Sequence, residues 1–205
     1  QGLAVAHNNL GVMYENGLGV PENDVEAVKW YRKAADLGYA SAQFNLGYRY
    51  NNGNGVPENY AEAVKWYRKA ADQGYANAQF NLGLMYNDGE GVPENDVEAV
   101  KWFRKAAVQG LVKAQRKLGQ MYEFGTGISE NDSEAVKWYR KAADQGDAYA
   151  QFDLGMMHQS GEGVPKNYAE AVKWFRKAAD QGLAVAQLNV GLMYGNGRGV
   201  PEYNN

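Results

Sequence analysis

Gly2, Gly38, Gly74, Gly110, Gly146 and Gly182 fall in strict register, and around each of them one 36-residue pattern returns with no insertion. A period in the thirties, made of two helix-like halves joined by a glycine-rich turn, constrains a chain severely. Each repeat can bury its apolar face only against its neighbours, so the prediction is an all-α solenoid of helix-turn-helix repeats. The repeats run over residues 2–37, 38–73, 74–109, 110–145 and 146–181, with a partial sixth over 182–205, and together they read as a single domain.

Within one repeat the second half, Asn23 to Gly38, carries signals for both ends of a helix, here called helix B. Asn23 with Glu26 three residues on predicts a capping box, and Gly38 suits the left-handed residue that closes a helix. Ala27, Trp30, Tyr31 and Ala34 recur at i, i+3, i+4 and i+7, the spacing of a buried stripe. The first half, helix A, carries Ala42, Leu46 and Tyr50 at four-residue steps. Gly47 interrupts it at a cost of about 1 kcal/mol relative to alanine. The same glycine recurs as Gly11, Gly83, Gly119, Gly155 and Gly191, which predicts a close backbone approach to the alanine-rich face of helix B. Between the helices, Gly53-Asn54-Gly55-Val56-Pro57 is turn chemistry; the third glycine and preceding strand of a dinucleotide loop are missing.

Composition narrows function by exclusion. The formal net charge is −3, and most of the 21 basic residues occupy three framework positions per repeat, as at Lys29, Arg32 and Lys33. That distribution argues against nucleic acid. The basic residues outside the framework are Arg49, Lys113, Arg116, Lys117, Lys166 and Arg198. No apolar run approaches the roughly 20 residues that cross a bilayer, so membrane insertion is not expected and the segment should be soluble. The absence of cysteine removes disulfides, thiol nucleophiles and thiolate zinc sites. The five tryptophans lie in phase beside the helix B alanines, a core position rather than a stacking platform for bases.

The unit A-x-x-x-L-G-x-x-Y-x-x-G-x-G-V-P followed by A-V-K-W-Y-R-K-A-A-x-x-G is found at Ala42, Leu46, Gly47, Tyr50, Gly53, Gly55, Val56 and Pro57, then at Ala63 through Ala71 and Gly74. It resembles the Sel1-like repeat family, a relative of the tetratricopeptide repeat, over essentially the whole chain. The resemblance implies a right-handed superhelix of antiparallel helix pairs whose concave face, lined by helix A, holds peptides or proteins. It implies an adaptor for complex assembly, with a bacterial periplasmic or secreted location favoured, and a host protein engaged through another surface as the alternative. A cysteine-rich branch of the family is linked to β-lactam binding or hydrolysis; this chain lacks every bridging cysteine, which disfavours that reading. The register of Gln1-Gly2 with Gln73-Gly74 and the unpaired last helix A lead us to expect a piece of a longer protein, with self-association through exposed solenoid ends.

Differences among the repeats separate framework from freedom. On helix A the residues three, seven, ten and fourteen after the leading glycine share one face: Ser41, Asn45, Tyr48 and Asn52; Asn77, Asn81, Leu84 and Asp88; Tyr149, Asp153, Met156 and Ser160. We assign this face to the groove. The fourth repeat places Lys113, Lys117, Gln120 and Phe124 there with Arg116 beside them, where Phe44, Phe80 and Phe152 stand elsewhere. Those cations serve either as an anchor for an acidic ligand or as partners of the next repeat, Lys117 with Asp153. Asn9, Asn45, Asn81 and Asn189 form an amide series suited to an extended peptide, at roughly three ligand residues per repeat for a spacing of about 10 Å. The expected partner-binding residues are Lys113, Arg116, Lys117, Asn45, Tyr48, Asn81, Phe124 and Tyr149.

Catalysis finds little material. His158 occupies the slot of Tyr14, Tyr50, Tyr86, Tyr122 and Tyr194, a packed substitute, and His7 replaces Gln43. Ser160 lies two residues from His158 and points elsewhere, so no Ser-His-Asp set assembles. Asp88 with Glu90, or Glu123 alone, has no calcium or zinc spacing. The reading is a non-catalytic scaffold that needs no cofactor or metal.

Overall fold

In the computed structural model, which describes residues 2–199, eleven helices and no strand are found among the described residues. They alternate as helix A and helix B: α1 (Gly2–Asn16), α2 (Asp24–Asp36), α3 (Ala40–Asn52), α4 (Tyr60–Asp72), α5 (Ala76–Asp88), α6 (Asp96–Val108), α7 (Val112–Phe124), α8 (Asp132–Asp144), α9 (Ala148–Ser160), α10 (Tyr168–Asp180) and α11 (Ala184–Gly195). The last residues of the partial sixth repeat, 200–205, lie outside the described residues, as does Gln1. The helices gather into two compact units, Gln1–Gln109 and Gly110–Asn205, which divide at a repeat boundary.

Helix B begins as the sequence predicts, though not through a reciprocal box. The Glu26 backbone N–H donates to Asn23 Oδ1 at 3.1 Å, and Asn59, Asn95, Asn131 and Asn167 cap their helices alike. The Asn23 N–H donates to the Tyr14 carbonyl at 2.8 Å, so the Glu26 carboxylate is not needed there and pairs with Lys29 instead. At the other end Gly38 sits at φ +85°, its N–H bonded to Ala35 O, while the Tyr39 N–H reaches Ala34 O. This double closure is a Schellman motif, and it turns the chain into the next helix A with a single left-handed residue.

Each A–B hairpin closes on a glycine and an aromatic ring. A Cβ on Gly47 would lie 2.7 Å from Tyr67 Cδ1, and one on Gly83 would lie 2.6 Å from Phe103 Cε1. The close approach anticipated from sequence is tightest at the helix B ring of Tyr31, Tyr67, Phe103, Tyr139 or Phe175, and at Gly47 it also reaches the Ala63 carbonyl, 3.3 Å from the added Cβ. The alanines pack around that ring: Ala42, Leu46, Ala63 and Ala70 are wholly buried.

Neighbouring repeats are joined by the tryptophans and by a glutamine relay. In the N-terminal unit Trp66 packs into the core formed by Ala27, Tyr31, Ala42 and Leu46, and Trp102 into that of Ala63, Tyr67, Leu82 and Met85. A lysine three residues on covers each indole, as Lys69 Nζ does 4.0 Å from the Trp66 ring centre. Buried Gln43 donates to Ala35 O at 3.1 Å and accepts from Gln73 at 2.7 Å. The relay recurs with Gln79 and Gln109, and in the C-terminal unit with Gln151 and Gln181. The framework cations thus have structural work: Lys29 on Glu26, Arg32 on the Tyr50 hydroxyl, Lys33 over Trp30.

Candidate functional site

Exposed apolar side chains that depart from the repeat pattern occur on helix B, as at Val97 and Val108, and the aromatic ones among them lie on helix A. In the N-terminal unit Tyr48 projects from α3 with 45% of its surface exposed. Next to it Asn81 of α5 hydrogen-bonds the Tyr67 hydroxyl, whose pKa burial pushes up to about 12, so that it stays a neutral hydroxyl. Tyr48, Asn81 and Tyr67 line a cavity of about 140 Å³ together with Asn51, Asn52, Leu84, Asp88 and Glu90. Two of the predicted contact residues are therefore brought together. Asn45 is half-buried and donates to Asn8 Oδ1 at 3.1 Å, and Asn189 donates to Val185 O of its own helix. Asn45 and Asn81 are thus taken up by polar groups of neighbouring helices, and Asn189 by its own helix.

In the C-terminal unit Phe124 and Tyr149 are 70% and 56% exposed, and Lys113 is exposed on α7. Lys117 is half-buried. Arg116 has its Nε 3.5 Å from Asp147 Oδ1 and its guanidinium 5.1 Å from the Tyr149 ring centre. Asp147 also caps α9 by accepting from the Ala150 N–H at 2.7 Å. The ion pair across this seam is Arg116 with Asp147 rather than Lys117 with Asp153. Of the three cations, Arg116 pairs with Asp147, while Lys113 is exposed and Lys117 half-buried on α7.

Behind them lies a polar cluster that sequence reading did not assemble. The Tyr139 hydroxyl of α8 donates to Glu123 of α7, and Asp153 of α9 has a buried Oδ2 with no hydrogen-bond partner. Burial, then the neighbouring Glu123 charge, push the Asp153 carboxyl up to about 7, against the pull of Arg116; burial raises Glu123 as well. The signal was present but distributed: Arg116 replaces the phenylalanine that elsewhere stacks on a helix B ring, as Phe80 does on Phe103 at 5.5 Å, and Asp153 replaces Asn45 and Asn81. A carboxyl whose folded pKa lies above its ordinary 3.8 contributes stability that is fully present below that value and lost as pH rises through about 7. Asp153→Asn is expected to raise stability at pH 8 by on the order of 1 kcal/mol and to flatten the decline between pH 4 and 8, as urea unfolding at each pH would show.

The other titratable candidates take structural roles. His158 faces Arg140 at 3.4 Å in the tyrosine slot, and burial followed by that cation lowers its pKa. The Ser160 hydroxyl donates to Met156 O and lies 2.9 Å from a Glu162 oxygen. Each thus has its own partners. Among the described residues no group of three or more His, Asp or Glu is placed to hold a metal ion, and no helix is long and apolar enough to cross a membrane.

The Sel1 repeat profile matches residues 4–39, 40–75, 76–111, 112–147, 148–183 and 184–205. The chain belongs to the Sel1 repeat family. Among solved structures, a protective antigen of uropathogenic Escherichia coli with an SLR fold is 43% identical over 97% of this Sel1 chain, with a TM-score of 0.95. This Sel1 chain spans 43% of that protein's length. A Sel1 repeat protein of Oxalobacter formigenes is 38% identical over 98% of this chain and 80% of its own, with a TM-score of 0.86. An immunity protein of Pseudomonas aeruginosa shares the fold at 24% identity and a TM-score of 0.55, over 89% of this chain and 67% of its own. No curated protein matches the Sel1 chain.

Proposed function

We propose that this chain is a non-catalytic scaffold that binds a peptide or protein segment along the first helix of each repeat. One observation carries the reading: bulky exposed side chains that break the repeat pattern, Tyr48, Phe124 and Tyr149, stand on or beside helix A, while the recurring tryptophans and basic residues of helix B serve packing. Large aromatic residues at partly exposed sites are the usual anchors of protein interfaces. Sel1 repeat proteins are generally scaffolds for protein–protein interaction, which supports the same reading. The contact set is Lys113, Arg116, Lys117, Asn45, Tyr48, Asn81, Phe124 and Tyr149, with Arg116 acting by holding Tyr149 and the start of α9 and with Lys113 and Lys117 offering charge to an acidic segment.

The likeness to a protective antigen favours a second reading, an exported bacterial factor that engages a host protein through another surface. One experiment separates the two. Affinity capture from bacterial extract and from host fluid is made with the wild-type chain and with the Tyr48→Ala, Phe124→Ala, Tyr149→Ala triple variant. The groove reading expects a partner enriched by the wild type and reduced at least tenfold by the variant, whose helicity is unchanged because all three side chains lie on the surface. Equal capture by both would overturn the groove reading in favour of another surface.

A further inference from the structure

We infer that the cavity beneath Tyr48 is a binding site for an arginine side chain of the partner. The inference rests on the groove reading and names the chemistry of one contact within it.

Size decides first. A cavity of about 140 Å³ holds about four or five waters at roughly 30 Å³ each, which suits the end of one side chain. It falls short of the roughly 300 Å³ at which small-molecule sites begin.

Charge and shape decide next. The lining contains Asp88 and Glu90 and no lysine, arginine or histidine. The Asn52 side-chain N–H₂ is spent on Tyr48 O at 2.8 Å, which leaves its carbonyl oxygen as an acceptor at the rim. Tyr67 at the floor is 1% exposed and neutral, and the exposed Tyr48 ring forms the lip. Two carboxylates, amide oxygens and an aromatic face are the complement of a planar guanidinium, which donates from several N–H groups at once and stacks on rings. The described residues form no group of three or more His, Asp or Glu placed to hold a metal ion.

The repeats themselves single out this place. Tyr48 stands where the other helices carry Val12, Leu84, Gln120, Met156 and Leu192. Asp88 stands where they carry Asn16, Asn52, Phe124, Ser160 and Asn196, and Glu90 where Leu18, Asn54, Thr126, Glu162 and Arg198 occur. At the seam of the second and third repeats a tyrosine and two carboxylates thus meet around one cavity.

The test is a nuclear magnetic resonance titration of the full chain, isotopically labelled, with N-acetyl-arginine amide as probe and N-acetyl-citrulline amide as its uncharged isostere. The expected result is saturable shifts in the Asn52, Asn81, Leu84 and Glu90 amides with the arginine probe, at least tenfold weaker binding of the citrulline probe, and at least tenfold weaker arginine binding in the Asp88→Asn, Glu90→Gln variant. That variant keeps side-chain volume at exposed or half-buried sites, and its unfolding curve confirms that it folds. Absent shifts, equal binding of the two probes, or arginine binding unchanged by the variant would each overturn the proposal. The groove reading stands or falls separately, on capture by the aromatic triple variant.

Discussion

Replacing Arg49 by alanine is expected to destabilise the N-terminal unit by about 2–3 kcal/mol in urea unfolding. Arg49 is 3% exposed, pairs with Glu15 of α1 and, at 2.7 Å, with Asp24 of α2, and lies over the Tyr31 ring, whose hydroxyl donates to the same Glu15. Removing it leaves a cavity and withdraws the counter-charge from two carboxylates at once. Solvent reaches both, with 33% and 40% of their side chains exposed, so the loss sits below that of a fully buried pair. The slot is occupied by Met13, Met85, Met121, Met157 and Met193 elsewhere, and Glu15 corresponds to Asn51, Asn87, Glu123 and Gln159, so that Met85 follows Asn51 where Arg49 follows Glu15. The Arg49→Met, Glu15→Asn double variant installs that apolar arrangement and is expected to fall within about 1 kcal/mol of wild type. A loss under about 0.5 kcal/mol in R49A would show that the ion pairs hold nothing together.

Gly83→Ala and Gly191→Ala are expected to act with opposite sign. Both remove a glycine from the interior of a helix A, a change worth a gain of about 1 kcal/mol where space allows. The new Cβ at residue 83 would lie 2.6 Å from the Phe103 ring, so overpacking of about 1–3 kcal/mol outweighs the gain and the net effect is a loss. At residue 191 nothing lies within 4 Å, and thermal unfolding should report a gain of up to about 1 kcal/mol. A gain at both sites would mean that the ring does not require the glycine.

These two cases also mark how far the sequence could be read. Period and spacing placed every helix pair, the Asn23 cap, the Gly38 closure, the buried tryptophans other than the half-buried Trp30, and the histidine in a tyrosine slot, because each depends on residues within one helix or on direct comparison of repeats. They did not reveal what stands across a seam. The Glu26 carboxylate was left for Lys29 because Tyr14, from the preceding helix, took the Asn23 N–H. Gly47 meets the Tyr67 ring, a neighbour the spacing of the alanines did not point to, before it meets Ala63. Arg49 read only as a basic residue outside the framework and is the centre of an ion network, and of the two readings of the fourth-repeat cations, the pairing of Lys117 with Asp153 gives way to a contact of Arg116 with Asp147. Asn45 read as a groove amide and bonds to Asn8, a residue 37 positions away. Contacts of that kind are set by how one repeat is rotated against the next, which a one-dimensional pattern does not carry.

The scaffold account is tested most directly by photo-cross-linking in the presence of the captured partner. Benzoylphenylalanine is placed singly at Tyr48 and Phe124 on exposed positions of helix A and at Lys29 and Lys101 on exposed positions of helix B. The account expects partner adducts from Tyr48 and Phe124 and none from the helix B positions. Adducts from Lys29 and Lys101 alone would contradict it and assign binding to helix B.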